Sequence, residues 1–480
     1  MENRPNVIVI FPDMWRGDCI SAAGHPDVQT PYTDAMIEQG VWFDGAYTSA
    51  PTCVPARACL ATGLTADHCG RTGYQDRVEW RYPDTMMHQL RDNGYQTMQV
   101  GKTHFYPQRA QLGFEESRLY EIPVHHAAFE SDYHTWLKEQ TDGHIQDVAR
   151  ERNPNSVLVN PWKYDEYLHI TNWTTTNAIN MIERRDVTRP FFLQIGYHRP
   201  HVPYDAPMEF WERYRDKDVR EPATGDWSER FHQRTNAIYK LRGQIDPRLS
   251  KDQLRGYYAN ITHVDSEIGK LMWWLEKHGY LKNTWIFLLS DHGDMLGDHY
   301  MQGKANPFEG SARIPFVVLP PKGTPAPAEK VCHAPVTLYD VMPTVLELAG
   351  ITSRCELDGT SLAPLLTGSE MELREYLHGE HANPGQGNGW QYIVNQYEKY
   401  AWETLSGEEY YFDLAKDPRE SHNAVDDPEY ADRVALLRSK LIEELSARPE
   451  DGFVRDGQLC PGKILPAVRD WVLDGAKIYP

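Results

Sequence analysis

The sequence contains no uninterrupted apolar run near the roughly 18 residues needed to cross a bilayer, which excludes a bundle of membrane-spanning helices. It also lacks a positive excess: 49 Lys and Arg stand against 69 Asp and Glu, a net charge of −20. Nucleic acid needs a basic face, so that class of partner is excluded, and an anionic small substrate has to be held by local cations against the global field. Cysteine is sparse. The seven residues Cys19, Cys53, Cys59, Cys69, Cys332, Cys355 and Cys460 are odd in number, irregularly spaced and without a C-x-x-C pair, which argues against a disulfide framework or a zinc ribbon. Internal repeats and low-complexity tracts are absent, and with 40% hydrophobic and 25% charged residues nothing marks disorder on the scale of a domain. The segment MENRPNVIVIF has no basic n-region, long apolar h-region or small-residue cleavage site. This predicts a cytoplasmic protein as given, or a periplasmic or secreted one if a signal peptide was removed.

What is present is an alternation of short apolar runs with helical patterns, the signature of a mostly parallel sheet covered by helices. Strands are expected at Asn6–Phe11, Tyr95–Val100, Phe191–Tyr197, Thr284–Leu289 and Phe316–Leu319, and helices from Thr30-Pro31 and over Thr85–Asn93, Leu254–His278 and Leu338–Ala349. Polar residues follow the strands: Asp13 after the first, Lys102 and His104 after the second, His198 after the third, Asp291 and His292 after the fourth. Ligands of open α/β sheets bind outside the carboxyl ends of strands, so these residues are placed to converge on one crevice. Each alone has a plainer reading, as a helix cap or a loop residue. Beyond LDGTSLAPLL the pattern changes to aromatic-rich antiparallel strands over Gly389–Leu414, with a turn at Ser406-Gly407, and an amphipathic helix over Tyr430–Leu445. The expected organisation is a catalytic domain over 1–375 and a smaller α+β domain over 376–480. The loop-rich Thr141–Trp162 and Pro203–Pro247 read as insertions able to line a cleft.

Four short segments carry chemistry. Cys53-Val54-Pro55-Ala56-Arg57 sets a cysteine just ahead of a helix start, where backbone N–H groups favour negative charge; taken alone it also reads as a partly buried cysteine, or as a thiol nucleophile. SDHGD (Ser290–Asp294) and Asp13 offer Asp291, His292 and Asp13 to a hard divalent cation. GKTHF (Gly101–Phe105), YHRPH (Tyr197–His201) and Lys304 supply the cations that a transferring anionic group requires.

These segments, in this order and with YYFDLAKDPRESHN near the C-terminus, resemble the type I, formylglycine-dependent sulfatases of the alkaline phosphatase superfamily. The resemblance implies the alkaline-phosphatase-like sulfatase fold and a sulfuric ester hydrolase that releases inorganic sulfate from an aryl or carbohydrate sulfate ester. It implies that Cys53 is oxidised by a formylglycine-generating maturation enzyme and that one hydroxyl of its hydrate, bound to metal, attacks sulfur. It assigns Asp13, Cys53, Asp291 and His292 to the metal, calcium first and manganese or magnesium as alternatives. It sets Arg57 to brace the modified side chain, and Lys102, Lys304, His198 and His201 to bind sulfate, with His198 as the favoured donor to the leaving alcohol. His104 would help collapse the sulfated diol. One position departs from the pattern: many sulfatases carry a carboxylate or amide where this chain has Met14, with water or Asp18 as candidate substitutes. The alternatives are a phosphonate or phosphate ester hydrolase of the same superfamily, disfavoured by the Lys102–His104 pair, and a non-catalytic anion-binding pseudoenzyme. Trp15, Trp80, Trp162 and Trp390 could stack on a substrate ring, although tryptophans more often pack in a core or interface, and a homo-oligomer is left open.

Overall fold

The computed structural model describes residues 4–122, 129–147, 149, 156, 157, 159–232, 246–325 and 329–474. Its centre is an eight-stranded sheet of β1 (Asn6–Ile10), β2 (Val41–Phe43), β3 (Gln96–Gly101), β4 (Glu116–Leu119), β5 (Phe191–Gly196), β6 (Thr284–Leu289), β7 (Phe316–Leu319) and β8 (Val331–Cys332), in the spatial order β4-β3-β5-β1-β6-β7-β2-β8. The five strands from β4 to β6 run parallel. β7 is antiparallel to both β6 and β2, and β8 is parallel to β2. Val7, Val9 and Phe11 enter the core on one face of the sheet, Ile8 and Ile10 the core on the other. Both faces are covered, which is why NVIVI is a continuous apolar run rather than an alternating one.

Helices α1 (Pro31–Gln39), α4 (Ile170–Arg184) and α5 (Pro247–Lys277) contribute to one core, while α2 (Cys53–Thr62), α3 (Met86–Asp92) and α6 (Val341–Leu348) contribute to the other. The apolar periodicity of α5 begins near Leu254, but the helix starts seven residues earlier. Asp246 accepts from the Arg248 N–H at 2.9 Å and Pro247 occupies the first turn, a cap and a preset φ that need no apolar face. Leu338–Asp340 is a separate 3-10 turn ahead of α6.

The smaller C-terminal domain is a four-stranded antiparallel sheet of β9 (Leu377–Asn383), β10 (Asn388–Val394), β11 (Glu398–Glu403) and β12 (Glu409–Asp413), followed by α7 (Ala431–Ser446). One stripe of α7, Val434, Leu437, Leu441 and Leu445, buries against Ile393, Tyr400, Trp402 and Tyr411. The opposite sheet face, with Trp390, Tyr392, Tyr410 and Phe412, joins the core of the large sheet. β9 carries His378, Glu380 and His381, a polar pattern that gave no strand signal in the sequence.

Of the two expected insertions, 148, 150–155, 158 and 233–245 lie outside the described residues. The described parts meet in bridges between Val159 and Tyr204 and between Trp162 and Pro207. Among the described residues no helix is long and apolar enough to cross a membrane.

Candidate active site

Because β1, β3, β5 and β6 are parallel neighbours, the loops after them leave the same edge of the sheet. Asp13, Lys102, His104, His198, Asp291 and His292 all stand on these loops. The Asp13 N–H donates to Tyr197 O at 2.9 Å and the His201 N–H to Asp13 O at 3.1 Å, so the β1 and β5 loops continue to pair past the sheet. Cys53 reaches the same edge as the first residue of α2, a helix buried along its whole length. Lys304 arrives from the loop after β6, which the Ala305 N–H ties to Pro51 O at 2.9 Å.

Asp13, Cys53, Asp291 and His292 present one ligand atom each within 4.8 Å of one another, all buried. His292 Nε2 lies 3.2 Å from Cys53 Sγ, and its Nδ1 lies 2.8 Å from Gly293 O. With that carbonyl taking the Nδ1 proton, the Nε2 lone pair is the one that faces the cluster. Arg57 spans the two carboxylates: Nη2 is 3.1 Å from Asp13 Oδ2 and 2.9 Å from Asp291 Oδ2, while Nη1 donates to Lys102 O at 3.0 Å. Lys102 Nζ is 2.6 Å from Asp13 Oδ2. Lys304 Nζ is 2.9 Å from Cys53 Sγ.

Burial opposes ionisation of Asp13, yet Lys102, His201, Lys304 and Arg57 hold its carboxyl well below the usual range. Burial and Asp13 push the Cys53 thiol up, but Lys304, Lys102 and His292 outweigh them and hold it well below an ordinary cysteine. Asp291 is pushed up by burial and by the neighbouring Asp13. A carboxylate crowded in this way, beside a second carboxylate and a free imidazole lone pair, is a donor set that a divalent cation fits.

Met14 does not contribute its side chain to this group. It takes a φ of 72°, its N–H donates to Asp291 Oδ1 at 3.0 Å, and its carbonyl accepts from the Tyr257 hydroxyl at 2.7 Å. Asp18 does not fill the place either. Both its oxygens are taken by Arg16, at 2.8 and 2.9 Å, so the expectation that it substitutes as a ligand is corrected. Asp294 caps its own loop through the N–H groups of Leu296 and Gly303.

The two histidines of YHRPH stack with ring centroids 4.9 Å apart but differ in surroundings. Both nitrogens of His198 are buried without a partner among the described residues, and its ring packs on Tyr120 at 4.9 Å. Burial, then Lys102 and Arg199, hold His198 well below its usual value. His201 Nδ1 lies 2.8 Å from Val202 O, and burial first, then Lys304 and Lys102 against the opposing Asp13 and Cys53, hold it well below its usual value. Lys102 and Asp13 act on both rings, whereas Lys304 and Cys53 are among the charges acting on His201. His104 has a φ of 62° and a buried Nδ1 without a partner among the described residues. Its loop hangs on Glu121, whose Oε1 accepts from the N–H groups of Thr103 and His104 at 2.8 and 2.6 Å and from the Thr103 hydroxyl at 2.8 Å. Glu121 belongs to no motif, and only the pairing of β3 with β4 brings it there. All four tryptophans considered for ring stacking, Trp15, Trp80, Trp162 and Trp390, are buried and so belong to the core, the plainer of their two readings.

The model of the family described as Sulfatase matches residues 5–351, and that described as N-sulphoglucosamine sulphohydrolase, C-terminal, matches 297–447. The chain is 37% identical over 476 residues to an arylsulfatase of Clostridium perfringens, covering 96% of this chain and 98% of that protein. It is 29% identical to a choline-sulfatase of Rhizobium meliloti over 88% of this chain and 83% of the other. In structure it is similar to a phosphonate monoester hydrolase of Agrobacterium radiobacter, with a TM-score of 0.78, 26% identity, and 92% and 96% of the two chains covered.

Proposed function

The chain belongs to the sulfatase family and hydrolyses sulfate esters, and we propose that it does so with Cys53 matured to formylglycine, a divalent cation on Asp13, Cys53, Asp291 and His292, and an aromatic alcohol as leaving group. The observation that carries this reading is the contact of Cys53 Sγ with both Lys304 Nζ and His292 Nε2, at 2.9 and 3.2 Å. It joins the residue to be modified, a metal donor and a sulfate-binding cation in one place. The two carboxylates suit a hard cation, and calcium is the metal that the sulfatase resemblance implies, with manganese and magnesium as alternatives. The extensive similarity to an arylsulfatase supports the aromatic alcohol.

A cation held by Asp13, Cys53, Asp291 and His292 would polarise the ester, and residue 53, once matured and hydrated, would supply the nucleophilic hydroxyl. The chain's own groups do the rest. Arg57 bridges Asp13 and Asp291 with one nitrogen, and its charge opposes the burial that disfavours their ionisation. Lys102 and Lys304 bring fixed positive charge to two sides of residue 53, where charge on the sulfuryl oxygens grows. Neither cation must reorganise at the moment of reaction.

We assign the donor to the leaving oxygen to His201 rather than to His198. With Nδ1 on Val202 O, the Nε2 of His201 is the nitrogen available for proton exchange with the substrate. Burial, and after it the neighbouring lysines, discourage protonation of His201, and a bound sulfate ester brings negative charge that opposes them. His198 stacks behind it and fixes the ring. His104 is the proposed base for the second hydroxyl of residue 53.

The test is mass spectrometry of the peptide that contains Cys53, from a host with a maturation system, together with sulfate release from phenyl sulfate. Turnover proportional to the aldehyde-bearing fraction is expected. An unmodified cysteine with no turnover, where a control sulfatase matures, overturns the reading, as does faster cleavage of a phenyl phosphonate ester.

A further inference from the structure

The sulfuryl-binding groups leave unassigned what the site does with the rest of the ester. Tyr74 is an aromatic side chain beside those groups that is open to solvent, 41% exposed. Its ring meets that of His104 edge-on, with centroids 5.8 Å apart and planes at 65°. His104 follows by two residues Lys102, whose Nζ binds Asp13. Burial of its hydroxyl end, then Asp76 and the charge at Cys53, push the Tyr74 phenol well above its usual value, so it stays neutral within electrostatic reach of residue 53.

The backbone that presents this ring is fixed. Gly73 bridges Ala382 of β9, and a Cβ at Gly73 would lie 2.0 Å from the Ala382 carbonyl oxygen, so only glycine allows the approach. The Gly73 N–H also donates to Ala467 O at 2.9 Å. The same strand holds the entry to α2. The Glu380 N–H donates to Ser49 O at 2.8 Å, and His381 Nε2 lies 2.8 Å from the hydroxyl of Thr52, the residue before Cys53. β9 thus sets the distance between Tyr74 and the reacting residue. A part-exposed aromatic ring on a fixed backbone, in contact with His104, has the chemistry to bind a ring attached to an anion held by the neighbouring cations.

We propose that Tyr74 is a specificity-determining residue that packs its open face against the ring of the leaving alcohol, whether an aryl ring or the C–H face of a pyranose. The proposal rests on the sulfatase reading above and adds the part of the substrate that is recognised. Tyr74→Ala, Tyr74→Phe and the unaltered protein are compared on phenyl sulfate and glucose 6-sulfate, with inorganic sulfate as a ringless competitive inhibitor. The expected result is a loss in kcat/KM of about tenfold for Tyr74→Ala on at least one ring-bearing substrate, near-normal values for Tyr74→Phe, and an unchanged inhibition constant for sulfate. Which substrate responds identifies the ring. An equal weakening of sulfate inhibition overturns the proposal, because Tyr74 would then act through His104, and so does an unchanged kcat/KM on both substrates. The two readings separate cleanly: activity of the unaltered protein reports on ester hydrolysis, and only the ratio of variant to unaltered protein reports on Tyr74.

Discussion

Lys304 Nζ donates to Cys53 Sγ across 2.9 Å, between residues 251 positions apart in the chain. The contact needs the loop after β6 to fold back over the start of α2, and the Ala305 to Pro51 hydrogen bond holds it there. A flexible cation is thereby fixed beside Cys53, the residue we propose to react, before any substrate arrives.

Lys304→Met keeps the apolar stem and removes the charge. The loss of one preorganised donor is expected to lower kcat/KM for phenyl sulfate by about 10²- to 10³-fold. Bound metal, the modified fraction of Cys53 and the melting temperature should stay as in the unaltered protein, each measured on the same sample. A loss much below about tenfold would remove Lys304 from the list of groups that stabilise the transition state.

The two stacked histidines separate by leaving group. Replacing His201 with Asn should depress turnover most for alcohols of high pKa and least for nitrophenyl sulfate, since a good leaving oxygen needs no proton. Replacing His198 with Asn should lower all substrates by a similar factor. A series of aryl sulfates plotted against leaving-group pKa gives the comparison directly. A steeper slope for the His198 variant would return the donor's role to that ring.

Much of this site was legible before the fold. Asp13, Lys102, His198 and Asp291 follow apolar runs, and parallel strands must bring such residues to one edge. The preference we propose for His201 over His198 was not legible, because two histidines three residues apart differ only through the surroundings that the folded loops bring to each. Asp18 looked like a spare carboxylate until Arg16, two residues before it, took both its oxygens. Glu121 and Tyr74 carry no motif, and a pairing of strands and a backbone bridge to β9 place them. The strand β9 itself was missed since its polar residues face partners rather than water.

Removal of the metal should abolish turnover while shifting the melting temperature little. Asp13 and Asp291 retain Arg57, and Asp13 retains Lys102, so the stripped site still has cations for its buried carboxylates. Arg57→Met in the stripped protein should be far less stable, by about 3 to 5 kcal/mol, because it leaves buried charge uncompensated. Chelation followed by calorimetry of both proteins checks the pair. A collapse of the unaltered protein on chelation would show instead that the metal, rather than Arg57, holds the site together.

Glu420 in the DPRESHN segment does its work at the junction of the domains. Lys399 Nζ from β11 lies 2.8 Å from Glu420 and 2.7 Å from Glu309, so one buried ammonium serves two carboxylates. Burial, opposed by Lys399 and reinforced by Glu309, raises Glu420 from 4.5 to about 7. The folded protein therefore binds more protons than the unfolded chain between those values, and stability should fall as pH rises from about 4.5 to about 7 and level off above. The loss attributable to this group is at most about 3 kcal/mol. Glu420→Gln should flatten that part of the profile, whereas Lys399→Met should destabilise by about 3 to 5 kcal/mol, most severely at the alkaline end where both carboxylates are charged. Urea unfolding of the three proteins across this range decides the matter. Parallel profiles for Glu420→Gln and the unaltered protein would mean that Glu420 is ionised throughout and that Lys399 neutralises it fully.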